Sequence, residues 1–139
     1  MQEFRTFLRP GVPASAKVFG WVLVFAGLFF AYVYTQSPGG FFPGVSIATN
    51  SEKFGLYSTG VRILGSVLGL AIALMLDSAA LLALMLATRV FIELGDVMVG
   101  LIINRAPDAN TVTLAVLAAV EIYFVLLLLR TVRNAGRGK

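Results

Sequence analysis

Four long apolar runs, at 18–34, about 56–76, about 79–103 and about 112–129, alternate with short polar segments along the chain. Each run approaches the roughly 20 residues a helix needs to cross the hydrocarbon core of a bilayer. The pattern therefore predicts an all-α protein, an integral membrane four-helix bundle forming a single transmembrane domain over 1–139. Pro38, Gly39, Gly40, Pro43 and Gly44 break the chain after the first run, so Thr35 to Gly55 reads as a surface loop. Its Phe41, Phe42 and Ile47 would fold back onto the bilayer surface or cover the bundle mouth, or else move freely with the loop. Asp77 and Ser78 alone separate the second and third runs, which makes those helices antiparallel neighbours. The polar segment Asn104 to Asn110, with Pro107, precedes the last run.

Composition strengthens this reading: of 139 residues, 58% are hydrophobic and 13% charged, about half the charged fraction of an ordinary soluble domain. The sequence holds no cysteine and no histidine, which excludes disulfides, thiolate metal centres, imidazole ligation and any catalytic triad built on those side chains. No metal site and no cofactor is expected. The net charge is +4, but Arg5, Arg9, Lys17, Arg130, Arg133, Arg137 and Lys139 supply most of the positive groups from the two ends. Lys53 and Arg105 are the only basic residues in the opposite connections. This asymmetry places both termini in the cytoplasm, with the chain in the cytoplasmic membrane, and makes lipid rather than nucleic acid the partner of the basic residues. Trp21 near the inner surface and Tyr32, Tyr34 and Tyr57 near the outer one fit aromatic belts. The first run is longer than a signal-peptide core and no A-x-A pattern follows it, so it is expected to be retained.

On the second span Gly65, Gly69 and Ala73 recur every four residues and fall on one stripe. Small residues so placed let a second backbone approach closely, either within the bundle or from another copy. Five ionisable residues lie inside the spans: Arg62, Arg89, Glu93, Asp96 and Glu121. At about 100° per residue, Arg89, Glu93 and Asp96 share one face of the third helix. Three charges near a bilayer centre cost about 8 to 10 kcal/mol, against about 4 to 8 returned by the Leu, Ile, Val and Phe of that span, so this face must meet protein. Depth along the helices pairs Arg62 with Asp96 and puts Glu121 level with Glu93, where Arg89 reaches across one turn. The cluster contains one acid in excess. It is either an ion-pair network fixing helix register or the lining of a ligand pocket or proton path.

Gly60-Val61-Arg62-Ile63-Leu64-Gly65-Ser66-Val67-Leu68-Gly69-Leu70 resembles the second-span G-x-R-x-x-G-x-x-x-G pattern of the DoxX-like superfamily of small four-helix membrane proteins. Leu94-Gly95-Asp96-Val97-Met98-Val99-Gly100 is similar to those families too, as is an acid-bearing last span with Glu121 followed by arginines. The likeness runs from about Gly55 to Arg133. It implies the four-helix membrane fold and an association with membrane redox assemblies, in a superfamily many of whose members have no assigned activity.

Three functions follow from these residues. A subunit or accessory module of a membrane complex needs no catalytic groups and uses the Gly65 and Gly69 stripe for helix packing. An intramembrane enzyme acting on a lipophilic small molecule would use Glu93, Asp96 and Glu121 as acid and base, with Arg62 and Arg89 binding the ligand and its developing negative charge. A proton-coupled carrier would exchange a proton at Glu121 or Glu93 for a cation, and would need a homo-oligomer. A pocket reaching Glu93 and Glu121 separates the last two from the first.

Overall fold

The computed structural model describes residues 10–36, 49–104, 107 and 109–137. They form four helices: α1 (Ala14–Gln36), α2 (Asn50–Met75), α3 (Ala79–Asn104) and α4 (Ala109–Arg137). The expected fold-back of Phe41, Phe42 and Ile47, and the charges of Arg5, Arg9, Arg105 and Lys139, lie outside the described residues. The helices outrun the apolar stretches because their ends are satisfied locally. Thr49 caps α2 with its hydroxyl 3.3 Å from the Glu52 N–H, while Glu52 reaches back to the Thr49 N–H at 2.8 Å. That box starts the helix well before Leu56. Three helices are long and apolar enough to cross a membrane, α1, α2 and the 111–137 part of α4. In α3, Arg89, Glu93 and Asp96 interrupt an otherwise apolar sequence of similar length.

The chain folds as two hairpins. Helix α1 packs mainly on α2 and α3 mainly on α4, while the α2 to α3 contact is narrower. Small residues explain the first pair: Ala16, Gly20, Gly27 and Ala31 are buried at helical spacing on α1. Gly20 faces Leu74, and a Cβ added at Gly27 would collide with Val67. Gly60 sits equally close to α1, where a Cβ would stand 2.8 Å from Thr35 Cγ2. In the second hairpin Gly100 lies against Thr111, with a Cβ position 2.7 Å from Oγ1. Such small residues let two helix backbones approach closely.

A three-residue turn, Leu76 to Ser78, joins the hairpins. Ser78 N–H donates to Ala73 O at 3.2 Å and Asp77 N–H to Leu74 O at 3.1 Å, the bond pair that closes a helix on a left-handed residue. That residue is Asp77, with φ 48°. Its side chain compensates by accepting from Val12 N–H at 2.9 Å and pairing with Lys17 Nζ at 2.9 Å. Ser78 in turn caps α3, and Pro10 O takes the Ala79 N–H at 3.0 Å. The core gathers at this end of the molecule, where Ala16, Leu23, Leu70, Leu74, Leu82, Leu86 and Leu128 are buried. Phe19 of α1 stacks on Phe124 of α4 at 4.3 Å between ring centroids, tying the two hairpins together. The outer surface is apolar: Phe25, Phe91, Met75 and Ile102 are each more than two-thirds exposed.

Candidate functional site

The five ionisable residues separate into two groups. Arg89, one turn before Glu93 on α3, points toward α4 and α2, and its guanidinium spends a different nitrogen on each of three helices. Nε donates to Glu121 Oε1 of α4 at 2.7 Å, Nη2 to Glu93 Oε1 at 2.7 Å, and Nη1 to Ser66 Oγ of α2 at 3.1 Å. The planar fork of arginine makes this possible; a lysine offers one nitrogen only. The side chains of Arg89, Glu93 and Glu121 are 14%, 8% and 0% exposed. Each carboxyl keeps one oxygen, Glu93 Oε2 and Glu121 Oε2, buried without a hydrogen-bond partner.

The second group is Arg62 of α2 with Asp96 of α3. Nη2 lies 2.9 Å from Oδ2 and Nη1 3.4 Å from Oδ1, a fork-on-fork pair. Its side chains are 46% and 37% exposed, so it bridges the hairpins at the surface rather than in the interior. Asp96 therefore does not join Glu93 and Glu121, although it shares a face of α3 with Arg89 and Glu93. The helical turn between Glu93 and Asp96 is enough to hold one acid on the buried Arg89 of α3 and send the other to Arg62 of α2.

The two glycines of the proposed packing stripe also differ. Gly69 meets α3, with a Cβ position 2.5 Å from Met85 Sδ, whereas a Cβ at Gly65 would meet nothing within 4 Å. Gly69 is thus a packing residue inside the chain, and Gly65 opens a space. That space is a cleft of about 190 Å3 between α2 and α3, lined by Arg62, Gly65, Ser66, Met85, Thr88 and Ile92. Glu93 and Glu121 do not line it. Sequence reasoning missed Ser66, although it lies one turn from Arg62 on the face of α2 that meets α3. It also missed the α1 glycines, whose spacing with Ala16 and Ala31 was the available signal. Among the described residues, no three Asp or Glu gather as a metal-binding group.

Chemically, the Arg89 centre is closed. Both of its carboxylates are held directly by the guanidinium, and neither lines the cleft described. What it does is join α2, α3 and α4 at one point, with one guanidinium shared by two carboxyls. No family model, no curated protein and no solved structure matches this chain.

Proposed function

We propose that the chain is an integral membrane four-helix bundle of DoxX-like type, with both termini in the cytoplasm, that serves as a subunit or accessory module of a membrane complex. The Arg89 centre carries this reading. A buried arginine bound by Glu93, Glu121 and Ser66 at 2.7 to 3.1 Å is built to hold helices together. It also accounts for how α3 crosses a bilayer despite its charges, because Arg89 and Glu93 turn away from lipid and pair with each other within the protein. The exposed apolar exterior, with Phe91 81% and Met75 77% exposed, suits lipid or a neighbouring membrane protein and would be a liability in water. An enzyme or carrier would need access to Glu93 or Glu121, and the cleft stops short of both.

Purification from membranes in mild detergent followed by native mass spectrometry tests the subunit role. The chain is expected to leave the membrane with a second polypeptide at fixed stoichiometry. Recovery of the chain alone from its native membrane overturns that role.

A further inference from the structure

The cleft between α2 and α3 is not used by either ion-pair group, and its walls combine apolar and polar surface. Met85 and Ile92 supply the apolar part. Gly65 leaves the wall hollow, since a Cβ there meets nothing within 4 Å. Ser66 Oγ accepts from Arg89 Nη1 at 3.1 Å, and its own O–H proton meets no acceptor among the described residues. Arg62 spends both terminal nitrogens on Asp96, and its Nε–H meets no acceptor among the described residues. Thr88 gives its proton to Leu84 O at 3.0 Å. The polar groups of the cleft therefore offer donors that lack acceptors.

Position decides what can supply the acceptor. Ser66 is nine residues from Met75 at the end of α2, which places it about 14 Å along the helix and close to the middle of a hydrocarbon core about 30 Å thick. Water does not satisfy a donor at that depth, and the ester carbonyls of phospholipids stay near the interface. A neutral molecule dissolved in the lipid phase can bring a carbonyl that deep. The cleft is also smaller than the roughly 300 to 1,000 Å3 that encloses a whole drug-sized ligand, so it takes a head group and leaves the tail in lipid.

We propose that this cleft binds the carbonyl head of a neutral lipophilic ketone-type molecule drawn from the bilayer, with the Ser66 hydroxyl donating to the carbonyl oxygen. The site rests on the membrane placement of the bundle but not on the subunit role. Arg89 fixes the donor: by occupying a lone pair of Ser66 Oγ it turns the hydroxyl proton away from α3 and polarises it. Arg62 Nε–H stands as a second donor at the cleft wall, and Met85 adapts its shape to the head group.

Infrared difference spectroscopy tests this on the full chain in neutral detergent, with methyl tridecyl ketone carrying an isotope-labelled carbonyl as the probe. Wild type is expected to bind it saturably, one molecule per chain, and to lower the carbonyl stretching frequency. Gly65→Leu places its side chain in the hollow, where its Cβ meets nothing within 4 Å, so it should abolish saturable binding while leaving helicity and thermal stability unchanged. Ser66→Ala should weaken binding by about tenfold, the worth of about one hydrogen bond, and remove the frequency shift. An identical band with wild type and Gly65→Leu overturns the proposal. So does a wild-type protein that never binds the ketone but changes its oligomeric state on Gly65→Leu, since protein then fills the cleft. Whether the chain needs detergent to leave the membrane is read separately, so loss of the site and loss of the membrane placement are distinguishable.

Discussion

Truncating Arg89 to alanine should cost far more than truncating Arg62, although both arginines make ion pairs in the middle of helices. The Arg89 partners are buried, Glu121 with none of its side chain exposed and Glu93 with 8%. Without the guanidinium, each carboxyl loses the contact to Oε1 and already has no partner on Oε2. Leaving a buried charge uncompensated costs about 3 to 5 kcal/mol. The Arg62 pair is 46% and 37% exposed and Asp96 lies about 12 Å from the Asn104 end of α3 at about 1.5 Å per residue, so a carboxyl left alone there reaches interfacial water and costs less than one with no exposed surface. Arg89→Ala should therefore be the less stable of the two variants in reversible unfolding by mixed micelles of mild and denaturing detergent, followed by helicity. A third protein isolates the cause. Replacing the whole centre, Arg89→Met with Glu93→Leu and Glu121→Leu, removes the stranded charges and should recover most of the loss, because apolar replacements of buried ion pairs are often neutral or stabilising. Equal stability of Arg89→Ala and Arg62→Ala refutes the reasoning. A triple variant as unstable as Arg89→Ala would mean that packing volume, not charge, is what Arg89 supplies.

Two further outcomes follow from the close approaches and from the turn. Gly27→Leu should destabilise by about 1 to 3 kcal/mol, because its side chain must displace Val67; a thermal melt matching wild type would show that the α1 and α2 hairpin is not packed at this point. The Asp77 carboxyl is held below the usual range first by the Val12 N–H and then by Lys17. Its stabilisation is thus complete above the unfolded carboxyl value of about 4 and is lost as pH falls through the depressed folded value. Asp77→Asn, which tolerates the left-handed backbone, should flatten the fall in melting temperature at acid pH; parallel wild-type and variant curves contradict that assignment.

The ion pairs were legible in the sequence because helical geometry is nearly rigid. A one-turn separation puts Glu93 within reach of Arg89, and equal depth on neighbouring helices brings Glu121 and Asp96 to their arginines. Which helix each acid meets was not legible, because it depends on how far α3 is rotated between α2 and α4. The same rotation decides that Gly69 packs on Met85 while Gly65 faces a void, a distinction absent from their identical residue type. Helix ends were underestimated where polar residues cap them, as Thr49 and Glu52 do, since an apolar run marks membrane thickness and not hydrogen bonding. The short turn at Asp77 fixed α2 and α3 as neighbours but not as the main packing pair. Buried small residues on α1 draw α2 to that side instead.

The central claim is that α3 crosses the membrane with Arg89 and Glu93 folded inward, giving four spans. The absence of cysteine from the sequence makes this directly measurable, because single cysteines can be introduced without background. Intact cells carrying Ser51→Cys, Ala109→Cys or Gly136→Cys would be exposed to a membrane-impermeant maleimide. Four spans with cytoplasmic termini predict labelling at 51 and 109 and protection at 136. Protection at 109 with labelling at 136 would mean that only α1, α2 and α4 cross, and would contradict the account.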